Sequence, residues 1–425
     1  MKKESFRKSI VSLGIARIIG IGLSFGISIF VSRGLGPEGR GALASYGTAQ
    51  AFLILLLTLG LGNAVNYTVA ANPDGKEHYY WTALVCSIVT YLVGLVVLVI
   101  LLMSTGIFTE GWYLFVLIAI WVLAGLLLDI TVGYTSGLHL FSKISTADVV
   151  SNSALFCMIT AGYLLHRITV SFIVIVTIVS LTIRFAYIAH GVLSFSRAAF
   201  EINLRNARRM LDIGIRNISI NLLGQVFSRA DVFIVLAFAT KAELGLYVNA
   251  QIPFNLIMMF PGLIGQVIAT RTASNDKDTL PRIIKMANYS TAIALISCLI
   301  IVFCGPGMFA LLFGKSFMKS YDIFLYIIPG LLFMVFGSGY GNALAGKGYP
   351  SGYLVASIVA VIVNIAMNLI LIPSKGAIGA AIASSATYAV LVVMLLYIFK
   401  NIYKITLLQT IGISPLVIDI KRTMP

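Results

Sequence analysis

The feature that most constrains this chain is a series of about twelve apolar runs, separated by short polar joints. A helix needs roughly 20 residues to cross a hydrocarbon layer of about 30 Å. The mean hydropathy of +0.99 and the hydrophobic share of 59% exceed what the core of a soluble protein requires. Because helices satisfy their own backbone hydrogen bonds in lipid, we predict an all-α integral membrane protein with no large soluble domain.

The sequence predicts about twelve transmembrane helices, six in each half of the chain. The predicted spans are 9–32, 41–70, 80–104, 111–138, 147–166 and 170–195 in the first half, and 211–238, 243–270, 283–304, 321–345, 351–373 and 376–399 in the second.

Two sequence patterns return later in the chain at nearly the same offset. The stretch 35–50 returns as 241–251, shifted by 204 residues, and 133–138 returns as 339–344, shifted by 206. Two matches at similar offsets indicate a duplication. Six helices is an even number, so both halves enter the membrane in the same direction. We therefore predict two six-helix lobes, related by a parallel pseudo-twofold axis around a central cavity.

A basic segment separates the two halves and has the spacing of an amphipathic surface helix. The predicted domains are an N-terminal lobe at 1–195, a cytoplasmic linker at 196–210, a C-terminal lobe at 211–400 and a cytoplasmic tail at 401–425.

The net charge of +15 is explained by the membrane rather than by nucleic acid. With the N-terminus inside, 19 Lys and Arg fall at the inner side, 7 fall at the outer side and 4 lie within apolar runs. Basic residues accumulate in cytoplasmic loops of membrane proteins. Both termini are therefore predicted to be cytoplasmic, and no nucleic-acid partner is expected.

The seventh predicted helix carries polar side chains every four residues, at Asn217, Asn221, Gln225 and Arg229. This spacing places them along one face of a helix. Such groups cost too much to face lipid, so they face protein or a water-filled cavity. A hydrogen-bond network between helices is the alternative. The amides expected to suit sugar hydroxyls in a cavity are Asn217, Asn221, Gln225, Asn249 and Asn255.

Three arginines within or beside apolar runs are candidates for anion binding: Arg17, Arg216 and Arg229. A planar guanidinium holds a phosphate or pyrophosphate bidentately. Alternatively, Arg17 and Arg216 reach the interface and bind lipid headgroups. Two acidic residues, Asp129 and Asp231, are candidates for ion coupling. Asp129 is the better candidate because it has no basic neighbour in the sequence, whereas Asp231 has Arg229 close by for a local charge pair.

The sequence favours transport over catalysis. No metalloprotease, nucleophile-elbow or phosphate-loop motif occurs on a suitable element. The four cysteines lack metal-ligand spacing, and no ATPase domain is present. We therefore expect no enzyme activity, no cofactor and no metal.

Four stretches carry a resemblance to a known family: SRGLGPEGRGALASY, SRADVFIVLAFATKAELGLY, LAGKGYPSGYLVASI and LILIPSKGAIGAAIASSATY. With the basic N-terminus, they make nearly the whole chain resemble the polysaccharide-transporter or oligosaccharide-flippase branch of the multidrug/oligosaccharidyl-lipid/polysaccharide exporter superfamily. The resemblance implies a bacterial inner-membrane flippase for undecaprenyl-pyrophosphate-linked repeat units, with cavity cations meeting the pyrophosphate. It also implies polymerase and chain-length regulator proteins as partners in O-antigen or capsule synthesis.

Two alternatives remain at this point. A cation-coupled multidrug exporter of the same fold would prefer an acidic cavity, whereas the first helix has Arg17 and no Asp or Glu. A membrane polysaccharide polymerase would carry a large external loop, whereas every predicted external joint is short.

Overall fold

The computed structural model describes residues 6–71, 76–105, 112–193, 203–273 and 279–410. Within these ranges all regular structure is helical, which confirms the all-α prediction. A 3₁₀ turn at Lys315–Phe317 precedes α10. The helices are α1 (Phe6–Thr58), α2 (Leu61–Ala71), α3 (Lys76–Thr105), α4 (Trp112–Gly137), α5 (Phe141–Leu164), α6 (Val170–Leu193), α7 (Leu204–Phe238), α8 (Lys241–Ala273), α9 (Thr279–Phe313), α10 (Met318–Gly346), α11 (Ser351–Tyr403) and α12 (Leu407–Thr410).

Ten helical stretches in the described ranges are long and apolar enough to cross a membrane. Two of them belong to α1 and α11, which have 53 residues each and are pairs of helices joined at a kink. The kinks lie at Gly36 (φ 66°) and Gly376 (φ 55°), a conformation that glycine adopts without steric cost. The kink at Gly36 falls in the joint between two predicted spans, and the kink at Gly376 falls at the first residue of the last predicted span. Counting each of these two long helices as two crossings gives about twelve crossings, as predicted.

The second predicted span, 41–70, is interrupted. The chain leaves α1 at Thr58, passes through Leu59 and Gly60 with positive φ, and begins α2 at Leu61. The reason is a close backbone approach, because a Cβ on Gly60 would lie 2.5 Å from the carbonyl oxygen of Gly214 in α7. Two helices cannot approach this closely where a side chain stands between them.

The chain divides into two compact units. Unit 1 consists of Met1–Leu35 and Ala42–Gln225, and unit 2 consists of Gly36–Gly41 and Val226–Pro425. The division falls inside α7, after the segment for which we predicted the linker. The first turns of α7 belong to unit 1 because Met210 is fully buried in its core. Residues 196–202 of the predicted linker and 411–425 of the predicted tail lie outside the described ranges.

Each unit has a core that buries the same positions of the repeat. Tyr134 packs its ring on Tyr80 in unit 1, and its equivalent Tyr340 packs its ring on Phe399 in unit 2, each at a centroid distance of 4.9 Å. Equivalent positions buried in both cores are Tyr79 and Ile283, Ala83 and Ala287, and Tyr134 and Tyr340. These offsets of 204 to 206 residues confirm the duplication.

The repeated turn forms a reciprocal backbone contact within unit 2. A Cβ on Gly41 would overlap the carbonyl oxygen of Lys241, and a Cβ on Gly245 would overlap the carbonyl oxygen of Pro37. Both pairs are related by the same offset of 204 residues. The two copies of the turn therefore pack on each other through the glycines that match in sequence.

We expect Gly41→Val to destabilise the protein by at least about 2 kcal/mol, because the new side chain must separate two backbones in contact. The apparent melting temperature of the purified protein in detergent measures the effect. Gly22→Val on the same helix is the matched control, since no atom lies within 4 Å of a Cβ at Gly22. Equal losses in the two variants would contradict the close approach.

Candidate functional site

Arg17 lies on α1 within a candidate span, and its side chain is exposed. In unit 1, α1 packs along α5, with Gly20 beside Asn152 and Gly26 against the ring of Phe156. From Gly20 to Gly26 on α1, the contact moves from Asn152 to Phe156 on α5. Residue numbers rise in the same direction on both helices, so the two helices are parallel. Counting back one turn from Gly20 therefore brings Arg17 to the level of Asp148.

Asp148 forms an ion pair with Arg184 that joins α5 to α6. Their side chains are 38% and 26% exposed. One turn further along α5, the hydroxyl of Ser180 donates to the carbonyl oxygen of Ser151 at 2.9 Å and joins the same two helices. Arg17 therefore lies at about the level of this ion pair along unit 1.

We expect Asp148→Asn to destabilise the protein by about 1–3 kcal/mol, because it leaves Arg184 half-buried without its counter-charge. The matched control is Asp212→Asn, which breaks the Asp212–Arg216 pair at 3.1 Å, whose side chains are 69% and 79% exposed. That change is expected to cost below about 1 kcal/mol. Apparent melting temperatures that fall equally in both variants would contradict a stabilising role for the half-buried pair.

The predicted polar face of α7 is divided between the two units. Arg216 belongs to unit 1, and Arg229 belongs to unit 2, where it interacts electrostatically with Asp231. Of the other predicted residues, Asn217 lies on α7, Asn221 and Asn255 are exposed, Gln225 is half-buried and Asn249 is fully buried. The burial of Asn249 places it among the packed residues of unit 2.

Asp231 is the centre of a buried hydrogen-bond cluster in unit 2. Its carboxylate accepts hydrogen bonds from the hydroxyl of Tyr247 and from the backbone N–H of Val232, the latter at 2.8 Å. Gln251 Nε2 lies 3.5 Å from the same carboxylate. The Tyr247 hydroxyl also lies 3.1 Å from the hydroxyl of Ser384 in α11. The cluster ties α7, α8 and α11 together, because an acid buried in this way needs partners.

Aromatic rings lie next to this cluster. The ring of Tyr388, one turn beyond Ser384 on α11, stacks on Phe254 with centroids 5.6 Å apart and an interplanar angle of 25°. The ring of Phe227 also contacts Tyr388, with the two ring centroids 5.8 Å apart. These rings restrict water around Asp231, which raises the strength of every hydrogen bond to it.

Sequence reasoning missed a second polar cluster on α11. Asn368 Nδ2 donates to Asn364 Oδ1 at 3.0 Å, and Asn364 Nδ2 lies 3.5 Å from Thr387 Oγ1. All three residues are buried. The four-residue spacing of Asn364 and Asn368 places both on one helix face and could have revealed this cluster. Among the described residues, no group of three or more His, Cys, Asp or Glu could hold a metal ion.

Asp129 has a structural partner that the sequence did not suggest. Its carboxylate lies directly against Gly62, in the first turn of α2. The first N–H groups of a helix have no internal acceptors and carry the positive end of the helix dipole. The carboxylate beside Gly62 therefore lies at the positive end of the α2 dipole, whether or not Asp129 also couples an ion.

The arrangement of helices is similar to that of solved membrane-transport proteins. A structure of the lipid II flippase MurJ in an inward closed conformation matches with a TM-score of 0.77 and 13% identity, over 92% of this chain and 87% of that chain. An inward-facing multidrug resistance MATE family transporter of the MOP superfamily matches with a TM-score of 0.69 and 17% identity, over 92% of this chain and 97% of that chain. At these identities the likeness shows the fold alone.

The family itself is shown by the sequence. The profile of the family described as polysaccharide biosynthesis protein matches residues 6–270, more than half of the chain, and the chain belongs to this family. The probable low-salt glycan biosynthesis flippase Agl15 of Haloferax volcanii is 22% identical over 404 residues, covering 90% of this chain and 81% of the relative. The protein is thus a multi-pass membrane protein of the polysaccharide biosynthesis protein family.

Proposed function

We propose that the protein moves an undecaprenyl-pyrophosphate-linked oligosaccharide repeat unit from the inner to the outer leaflet of the cytoplasmic membrane by alternating access. The observation that carries this proposal is the exposure of Arg17 and Arg229 inside candidate spans of a polysaccharide biosynthesis protein. A guanidinium exposed within a span is costly unless it meets water or an anion. A pyrophosphate supplies that anion in bidentate geometry.

The chemistry of the substrate matches the polar groups of the chain. A pyrophosphate and a sugar chain cannot cross hydrocarbon unassisted, so a transporter must replace their hydration. In this proposal Arg17, Arg216 and Arg229 meet the pyrophosphate, and the amides of Asn221 and Gln225 meet sugar hydroxyls. The polyprenyl tail stays in the surrounding lipid.

The driving force in this proposal is an ion that binds at an intramembrane acid. Asp231 is favoured over Asp129, because its buried carboxylate connects three helices of unit 2. A change in its charge would alter the contacts between those helices, and this is how ion binding can bias a conformational equilibrium.

The proposal also places both termini in the cytoplasm of a bacterial cell, as the distribution of Lys and Arg favours. The glycan delivered to the outer leaflet would then be used by a polysaccharide polymerase and its chain-length regulator. These proteins are the proposed partners of the pathway, together with the lipid-linked oligosaccharide and the bilayer.

The test is the transbilayer distribution of lipid-linked oligosaccharide in cells depleted of the protein and complemented with wild type or with Arg17→Ala, Arg216→Ala or Arg229→Ala. We expect depletion to leave the lipid-linked units on the cytoplasmic leaflet, and the stably inserted variants to fail to restore transfer. If the units still reach the outer face and the cells become sensitive to cationic drugs, the flippase proposal fails and the multidrug exporter takes its place.

A further inference from the structure

The start of α7 is held in a fixed orientation on unit 1. Asn203 caps the helix, because its side-chain oxygen accepts hydrogen bonds from the backbone N–H groups of Arg205 at 3.0 Å and Asn206 at 3.2 Å. Its own N–H donates to Thr82 Oγ1 in α3 at 3.2 Å. Met210 is fully buried in the core of unit 1. These contacts fix which face of α7 points outward.

The outward face forms an open cleft of about 540 Å³, which we call the cationic cleft. The residues that line it are Arg205, Arg208, Arg209, Leu211, Asp212 and Ile215. The three arginines are exposed and follow the spacing of one helix face.

The cleft carries an excess of positive charge. Its single lining carboxylate, Asp212, is paired with Arg216 at 3.1 Å. Across the described ranges, no carboxylate forms an ion pair with Arg205, Arg208 or Arg209. The positive end of the α7 helix dipole adds to this field. The cleft therefore favours a ligand with more than one negative charge.

The cleft also has an apolar wall. Leu211 lies beside the arginines, and the side chain of Ile215 is 54% exposed. The candidate span on α7 begins at Asn221, about 9 Å beyond Ile215 at 1.5 Å per residue. A ligand with an anionic head at the arginines can therefore extend an apolar chain along Ile215 towards the hydrocarbon.

We propose that the cationic cleft binds the diphosphate head of a prenyl lipid in the cytoplasmic leaflet and recruits the substrate before it enters the transport pathway. This inference rests on the proposed function. Two linked phosphoryl groups present two charges to three guanidinium groups, each of which binds phosphate bidentately. The single phosphodiester of an ordinary phospholipid leaves most of this charge uncompensated.

The test is equilibrium binding of undecaprenyl diphosphate, without sugar, to the full-length protein in nanodiscs of zwitterionic lipid. The triple variant Arg205→Gln, Arg208→Gln, Arg209→Gln is compared with a triple variant of exposed cations elsewhere, Arg167→Gln, Lys319→Gln, Lys375→Gln, which has the same change in charge. We expect the cleft variant to raise Kd at least about tenfold, since each lost contact is a hydrogen bond between charged groups. The control variant is expected to leave Kd within about twofold.

Lysine at the three cleft positions keeps the charge and the exposed surface, so this variant separates binding from folding. It is expected to weaken binding less than the glutamine variant, because it loses only the planar fork. Equal weakening by the cleft and control triples would overturn the proposal. So would wild-type binding of phosphatidylglycerol as tight as that of undecaprenyl diphosphate, which would mark the cleft as a site for anionic phospholipid.

The binding assay does not depend on transport, so the two proposals fail separately. Suppose that reconstituted wild-type protein moves lipid-linked oligosaccharide, but the cleft and control triple variants bind diphosphate equally well. That result would overturn only the proposal for the cationic cleft. If the cleft mutations abolish diphosphate binding, but the wild-type protein never moves the lipid, only the flippase proposal is overturned.

Discussion

Replacing Arg229 with alanine is expected to lower the rate of lipid-linked oligosaccharide translocation about 100-fold, with the protein still inserted and folded. The guanidinium is exposed within the span of α7, so its loss removes contacts to the anionic substrate and few packing contacts. A 100-fold change corresponds to about 2.7 kcal/mol, which is within the roughly 1.5–3 kcal/mol of one hydrogen bond between charged groups. Initial translocation rates in proteoliposomes measure it.

Arg167→Ala is the control for Arg229→Ala, because Arg167 is exposed and lies between α5 and α6, outside both of their helical ranges. Its translocation rate is expected to equal that of wild type. Arg229→Lys is expected to keep part of the activity, since it retains the charge but loses bidentate binding. Wild-type rates in Arg229→Ala would show that this arginine has no part in holding the substrate.

Replacing Asp231 with alanine is expected to destabilise the protein by about 3 kcal/mol, the second large effect. The change leaves the buried hydroxyl of Tyr247 without its carboxylate acceptor and opens a void between helices of unit 2. The apparent melting temperature in detergent, and the fraction of protein that elutes as a single species, measure the loss.

Asp231→Asn separates stability from ion coupling. The asparagine oxygen can still accept from the N–H of Val232, and its Nδ2 can donate to the hydroxyl of Tyr247, which then donates to Ser384. Since asparagine also has nearly the same volume, the melting temperature is expected to fall much less than in Asp231→Ala. Asparagine cannot carry a negative charge, so translocation is expected to lose its dependence on an ion gradient. A folded Asp231→Asn protein whose transport still follows the gradient as wild type does would leave Asp231 with a structural role alone.

The fold could largely be predicted from the sequence because bilayer thickness fixes the length of each apolar run. The glycines at 41 and 245 could also be matched by sequence comparison, and the structure shows them in reciprocal contact within unit 2. The interruption at Leu59 and Gly60 could not be predicted. It depends on the approach of Gly214, which is more than 150 residues away in the chain.

The polar groups were harder to interpret than the helices. The four-residue spacing on α7 indicated one polar face, but it could not show that Asp231 would be buried against Tyr247 and Ser384. The Asp148–Arg184 pair joins residues on different helices, and nothing in the local sequence of either marks the other as its partner. Long-range pairs of this kind depend on helix packing rather than on periodicity.

The most direct test of the flippase proposal is a translocation assay with purified protein in liposomes that contain a fluorescent polyprenyl-diphosphate-linked oligosaccharide. A membrane-impermeant reductant bleaches only labels on the outer leaflet. The proposal predicts that wild-type protein makes nearly all of the label accessible, whereas the Arg17→Ala, Arg229→Ala double variant leaves the inner-leaflet share protected. If wild-type protein leaves the inner-leaflet label as well protected as in protein-free liposomes, the flippase proposal is contradicted.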